Sequence, residues 1–155
     1  MKNIKQKPEP DIAICTLGEG DIAELSVLAG AIWRFTYPGT LTPQEIETAI
    51  ERGYSHEKLK QGLQAPHTMY GAFKDGAMVG FTEINMMKDG SMFIHKLYVH
   101  MDSQGFGLGR ALLHHALEKH GSPVARLNTN RRNVTAINFY FGQGFVIEKL
   151  DPHDS

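Results

Sequence analysis

One stretch restricts what this chain can fold into more than any other: residues 97–113, LYVHMDSQGFGLGRALL. A β-prone run ending at Val99 meets a polar turn, then Gln104, Gly105, Phe106, Gly107, Leu108, Gly109 and Arg110, then an apolar helical pattern that continues through Leu117. Strand, glycine turn and helix follow one another without a gap. Glycines let backbone N–H groups approach a ligand closely, and a helix beginning there adds the positive end of its dipole. The stretch is therefore suited to holding phosphate oxygens.

Spacing separates the glycine loops that do this. A dinucleotide-binding G-x-G-x-x-G needs glycine or alanine where Arg110 stands, and a P-loop needs Gly-Lys-Ser/Thr, a tripeptide absent from the chain. What remains is Q-x-x-G-x-G at Gln104, Gly107 and Gly109. It resembles the pyrophosphate loop, R/Q-x-x-G-x-G/A, of the GNAT superfamily of acetyl-CoA-dependent N-acetyltransferases. A second stretch, Asn133-Val-Thr-Ala136-Ile-Asn-Phe139-Tyr140-Phe-Gly-Gln-Gly144-Phe145, resembles that superfamily's N-x-x-A-x-x-F-Y-x-x-x-G-F motif. The resemblance is most specific between Ile94 and Phe145. Met101 departs from a position that is often proline in the family, and Gly142 from one that often holds a long side chain.

The rest of the pattern is read locally. Residues 1–10 read as a flexible leader, and residues 1–155 as one domain. A β-run at 12–16 precedes Asp21 and Glu24, which resemble a capping box for a helix reaching about Trp33. Thr42, Pro43 and Glu45 supply a cap, a first-position proline and a third-position acid for a second helix to about Gly53. Ser55 caps a third, 56–63. Short β-runs follow at 68–73, 77–86 and 91–100, with turns at Lys74-Asp75-Gly76 and Lys88-Asp89-Gly90. After the loop helix, 123–129 reads as a strand, 134–141 as a helix and 144–150 as a last strand.

This order is α+β. The resemblance implies the GNAT fold, a mixed central sheet with helices on both faces. In it two parallel strands, here 93–100 and 125–129, splay apart to admit the pantetheine arm of the cofactor.

Composition excludes several other roles. A net charge of −1 leaves no basic footprint for nucleic acid or an anionic membrane. Cys15 is the only cysteine, so there is no internal disulfide and no cysteine cluster for zinc. His114, His115 and His120 contain no i,i+4 pair, and no metal is expected. The polar start MKNIKQKPEP and the lack of a long apolar run point to a soluble cytoplasmic protein.

Acetyl transfer to an amine needs a neutral amine, stabilisation of the carbonyl oxygen and a proton for the departing thiolate. An alkyl ammonium has a pKa near ~10, so a base must take its proton at neutral pH. His95 is the candidate; Phe93 stands where the family often has a glutamate. By strand parity His95 shares a face with Phe93, Leu97 and Val99 and points into the core, unless a β-bulge reorients it. Glu83 is the rival base. With Asp89-Gly90 as the turn it falls opposite Lys96, where a cross-strand salt bridge would occupy both.

The resemblance implies that Tyr140 donates a proton or hydrogen bond to the coenzyme A sulfur; the alternative is a helical tyrosine packed on the sheet. It also implies that backbone N–H groups of Leu97, Tyr98 and Val99 serve the carbonyl. The residues from Gln104 through Gly105, Phe106, Gly107, Leu108 and Gly109 to Arg110 would wrap the pyrophosphate. Asn133 contacts pantetheine or caps its helix. Trp33 and Tyr37, with Phe35 and Met69, line an acceptor pocket or belong to ordinary core.

Together these readings give an acetyl-CoA-dependent N-acetyltransferase working by direct attack of a primary amine in a ternary complex. The acceptor is expected to be a small molecule such as a polyamine, from a loose similarity of Phe35-Thr-Tyr37 and the adjoining helices to bacterial polyamine and small-molecule acetyltransferases. A protein N-terminus or lysine as acceptor, a non-catalytic acyl-CoA sensor, an unrelated nucleotide-binding domain and a homodimer stay open at this point.

Overall fold

The computed structural model describes residues 9–151. One sheet carries five strands in the spatial order of the chain: β1 (Ile12–Thr16), β2 (His67–Lys74), β3 (Ala77–Met86), β4 (Met92–Val99) and β5 (Ala125–Leu127). β1 to β4 are antiparallel neighbours, and β5 joins β4 in parallel. The helices are α1 (Ile22–Thr36), α2 (Pro43–Tyr54), α3 (His56–Gly62), α4 (Leu108–His120) and α5 (Val134–Gly142).

Local chemistry sets most of these boundaries. Asp75 (φ 51°) and Gly76 (φ 84°) are both left-handed, the backbone that a two-residue hairpin between β2 and β3 demands. Thr42 Oγ1 accepts from the Glu45 N–H at 3.1 Å while Glu45 Oε1 accepts from the Thr42 N–H at 2.9 Å, so the box that opens α2 is closed. Ser55 Oγ accepts from the Lys58 N–H at 3.2 Å and opens α3. At seven residues α3 is too short to persist alone, and buried Leu59 holds it to the sheet.

Two cores lie on the two faces of the sheet. Leu25, Leu28 and Ile32 of α1 meet Leu59, Met69 and Phe81 on one face, and Leu108, Leu112, Leu113 and Ala116 of α4 meet Tyr70, Ile84, Met92 and Ile94 on the other. The mixed sheet with helices on both faces is present. Each fully buried Leu or Phe is worth about 1.5–3 kcal/mol, so packing rather than propensity fixes where these helices sit.

Several boundaries differ from the sequence reading. Asp21 does not cap α1; its Oδ2 accepts from the Gly18 N–H at 2.8 Å, bracing a short 3-10 turn, while Glu24 Oε1 accepts from the Met78 N–H at 2.6 Å. β5 is shorter than 123–129, and residues 144–150 form no strand. In that last segment Val146 and Leu150 are 82% and 77% exposed, so β propensity has no burial to reinforce it. It is tied to β5 by Arg126 Nε and Glu148 Oε2 at 3.2 Å. Most of the expected leader falls outside the described residues.

One irregularity positions the site. Glu83 pairs with Lys96 but Ile84 pairs with Ile94, leaving His95 as an extra residue in β4. Before it Met92 and Ile94 enter the α4-side core; after it Leu97 and Val99 do. An inserted residue must change the parity of the alternation in this way. The parity that pointed His95 into the core is overturned: its side chain is exposed.

Candidate active site between the parted strands

β4 and β5 are paired only from Met92 and Ala125 to Ile94 and Leu127. Beyond that point they separate. The opening is a cleft of ≈ 90 Å³, walled by residues 94–98 on one side and 127–129 on the other, with Asn133, Ala136 and Tyr140 of α5 across it. Past Ile94 β4 has no ladder partner on its β5 side. A larger groove of ≈ 420 Å³, beside Ile22 and Lys60, contains none of these groups.

The glycine loop closes one end. Gly105 (φ 93°) and Gly107 (φ 72°) adopt the left-handed backbone, and a β-carbon on either would meet nothing within 4 Å. Backbone conformation, not crowding, is what calls for glycine there. Gly107 is also the N-cap of α4, which no side chain caps, so the N–H groups of Leu108, Gly109 and Arg110 remain for a ligand at the positive helix end. Gly109 differs. A β-carbon there would lie 3.4 Å from the Phe139 ring, an ordinary van der Waals contact.

The loop side chains divide the work. Leu108 is buried in the core and offers only its backbone. Gln104 Nε2 donates to the Val99 carbonyl at 3.3 Å, lashing the loop to β4. Arg110 is exposed at the first turn of α4, and Phe106 is half-exposed with Lys74 Nζ 4.5 Å above its ring centre. Lys74 is a second cation near the loop that sequence reasoning missed. It sits at a hairpin brought alongside only by the sheet.

From α5, Asn133 both caps its helix, Oδ1 accepting from the Ala136 N–H at 3.2 Å, and lines the cleft. Tyr140 packs with its ring centre 5.2 Å from those of Phe139 and Phe145 and also lines the cleft. Burial pushes its phenol up to about 12.

On the α1–α3 face, beside the cleft, polar groups meet. Glu83 is buried; its Oε2 accepts from His67 Nδ1–H at 3.1 Å and its Oε1 lies 3.4 Å from Lys96 Nζ, the cross-strand pair expected from the hairpin turn. Lys96 Nζ also donates to the Gly53 carbonyl at 3.0 Å and lies 4.5 Å over the Tyr54 ring. His95 Nε2 is hydrogen-bonded to Asn85 Oδ1, and its ring centre is 4.8 Å from Phe93 and 5.0 Å from His67. Asn85 Nδ2 faces the Met86 carbonyl at 3.4 Å, which turns Oδ1 to His95; Nε2 then carries the proton and Nδ1 keeps a lone pair. Partial burial holds the His95 imidazolium below the usual histidine range, opposed by Glu83 and aided by His67 and Lys96. No sequence signal marks His67, because its neighbours come from other strands.

An aromatic group adjoins this. Trp33 lies 4.3 Å from Tyr37 between ring centres and donates from Nε1 to Tyr54 Oη at 3.0 Å, while the Tyr37 and Tyr98 hydroxyls are 3.4 Å apart. Burial raises the Tyr54 and Tyr98 phenols well above the ordinary value. The Tyr98 side chain thus joins Trp33 and Tyr37. Met69, at 1% exposure, belongs to the core and Phe35 points outward at 64%, so neither shares this wall. Two of the α4 histidines serve Tyr70: His120 Nε2 is 2.8 Å from its hydroxyl, and the His115 ring centre is 4.9 Å away.

A parted parallel pair, an uncapped glycine-headed helix and a tyrosine lining the gap thus stand together. A model of the Acetyltransferase (GNAT) family matches residues 31–145. The chain belongs to the GNAT acetyltransferase family. It is therefore an acetyl-CoA-dependent N-acetyltransferase. It is 29% identical over 151 residues to a spermidine N(1)-acetyltransferase of Thermoplasma acidophilum, covering 92% of this chain and 93% of that one. A PaiA N-acetyltransferase from Thermoplasma acidophilum, solved with coenzyme A, superposes with a TM-score of 0.85 at 29% identity, covering 93% of this chain and 95% of that one. A ribosomal-protein-S18-alanine N-acetyltransferase from Escherichia coli shares the fold, with a TM-score of 0.69 at 20% identity and coverage of 90% and 80%. The residues present fit this GNAT member's cofactor. The N–H groups at the start of α4 suit its diphosphate, and the cleft suits an extended thioester arm. No helix among the described residues is long and apolar enough to cross a membrane.

Proposed function

We propose that this GNAT enzyme acetylates a primary amine of a small polycation, a polyamine being the best candidate, by direct attack within a ternary complex. The observation that carries the reading is the cleft itself. Tyr140 and the bulged His95 both line it, on α5 and β4, where the strands part. The 29% identity to a spermidine N(1)-acetyltransferase, spanning nearly the whole of both chains, supports the acceptor class.

The bound cofactor supplies an acetyl thioester, and the chain's residues do the rest. Trp33, Tyr37 and Tyr98 offer ring faces and hydroxyls to an arriving ammonium. His95 Nδ1 takes the proton that makes the amine nucleophilic, while Asn85 keeps the ring's other nitrogen protonated. Backbone N–H groups of residues 97–99 would stabilise the carbonyl oxygen of a bound acetyl group as it gains charge. Tyr140, which lines the cleft, would stand near the sulfur of a thioester bound there. Full proton transfer from a phenol near 12 to a thiolate near ~8.5 is uphill by about 5 kcal/mol, so Tyr140 acts as a hydrogen-bond donor and solvent completes the protonation.

Release of free thiol from acetyl-CoA, followed across a panel of spermidine, spermine, aminoglycosides, lysine peptides and N-terminal peptides, tests the assignment. Polyamines are expected to give the highest kcat/KM. Faster turnover of a peptide would replace the acceptor class, and cofactor binding without thiol release from any amine would reduce the protein to an acyl-CoA sensor.

A further inference from the structure

We propose that His67, Glu83 and His95 form a binding site for a divalent transition-metal ion of the zinc, cobalt and nickel class. The three residues come from three adjacent strands, β2, β3 and β4. Each offers one ligand atom, and these atoms all lie within 4.8 Å of one another. Sheet register gathers them. His67 stands opposite Asn85, Glu83 lies two residues back on the same face, and the bulge turns His95 toward both. Two imidazoles and a carboxylate are a donor set these ions favour.

The geometry is partly built. Bonds of ~2.0–2.1 Å to a tetrahedral ion put neighbouring donors roughly 3.3 Å apart, and His67 Nδ1 and Glu83 Oε2 already stand at 3.1 Å. His95, being exposed, is the ligand that swings, exchanging Asn85 for the ion. The supporting groups are also present. Lys96 holds Glu83 Oε1 at 3.4 Å and leaves Oε2 for the ion, and a β-carbon on Gly62 would come within 2.6 Å of that carboxylate, so α3 seals it from behind. The Lys96 charge opposes the ion and keeps binding reversible. His67 Nδ1 must give up its proton to become a ligand, and a neutral ring does so by carrying that proton on Nε2 instead.

An ion bound here takes the His95 lone pair needed by the incoming amine; this consequence rests on the reading of His95 as the base. Binding itself does not.

Cobalt(II) chloride titrated into the metal-free, full-length protein is the test, read by visible absorption and by thermal shift. A ligand-field band that saturates at one ion per chain and is displaced by zinc chloride is expected. Loss of a supporting partner alone weakens such sites about 10–100-fold, so H67Q and H95N should each weaken cobalt binding by at least about tenfold. H95N alters an exposed side chain and leaves the fold intact, and H114N, on α4, serves as a control with unchanged affinity. No band at millimolar cobalt, or a band unaffected by both H67Q and H95N, would overturn the site. Zinc that binds without slowing thiol release leaves the site standing and removes His95 as the base.

Discussion

Glu83 and Lys96 face each other across β3 and β4 with 3.4 Å between Oε1 and Nζ, and immediately beside them the ladder slips by one residue. The pair pins the register on one side of the bulge, so His95 stays displaced toward the cleft. Their side chains are only 9% and 18% exposed, which puts the pair in the buried regime, where removing one partner strands the other charge. Glu83→Gln is expected to cost about 2–4 kcal/mol in urea unfolding, less than the full penalty because Lys96 keeps the Gly53 carbonyl and the Tyr54 ring. Lys96→Met, which leaves Glu83 with His67, should cost less. Equal losses would contradict this apportioning of their remaining partners.

Two glycines of one motif should respond oppositely. Gly107 is left-handed, so Gly107→Ala strains the backbone by about 1–2 kcal/mol and tilts the N–H groups at the start of α4. KM for acetyl-CoA should rise severalfold with kcat little changed. Gly109 is helical with ordinary space beside Phe139, so Gly109→Ala should hold or raise the melting temperature, helped by up to about 1 kcal/mol of helix propensity. Paired melts and acetyl-CoA titrations decide it, and parallel behaviour would contradict the division of roles.

Tyr140→Phe removes only the hydroxyl of a residue that lines the cleft. A hydrogen bond to a charged group is worth about 1.5–3 kcal/mol, equivalent to roughly a 10–100-fold fall in kcat. Binding of acetyl-CoA, measured calorimetrically, should change little because the ring still packs between Phe139 and Phe145. Undiminished turnover at saturating substrates would refute the assigned role.

Alkaline stability should report the buried phenols. Tyr140 is pushed up to about 12, and burial raises Tyr54 and Tyr98 as well. Below pH ~10 these groups are neutral in both folded and unfolded chains, and their contribution is fully present. Above that the unfolded chain ionises first, so stability falls as pH rises toward the folded value, by up to about 1.4 kcal/mol per pH unit per tyrosine. Melting temperatures from pH 8 to 11 should drop, and Tyr140→Phe should drop less steeply. Identical slopes for the two proteins would rule the phenol out.

The elements that carry the cofactor motif were readable because each depends on neighbours in sequence. The box at Thr42 and Glu45 closes as its spacing implies, the Asp75-Gly76 turn is left-handed at both residues, and Gly107 opens α4 with no cap. Where local signals had rivals, packing chose. Asp21 braces the turn before α1 instead of capping it, and residues 144–150 have strand-forming side chains yet no ladder.

The order of the residues alone determined the glycine-headed helix, the tyrosine helix and the hairpins, since helix caps and two-residue turns are settled within a few bonds of backbone. Only the assembled sheet decided that His95 turns outward, that His67 reaches Glu83, that Lys74 stands over Phe106 and that β4 leaves β5 after Ile94. Those facts depend on register between strands distant in the chain. A shift of one residue there sends every side chain to the opposite face, and no pattern within a single strand records which register the packing selects.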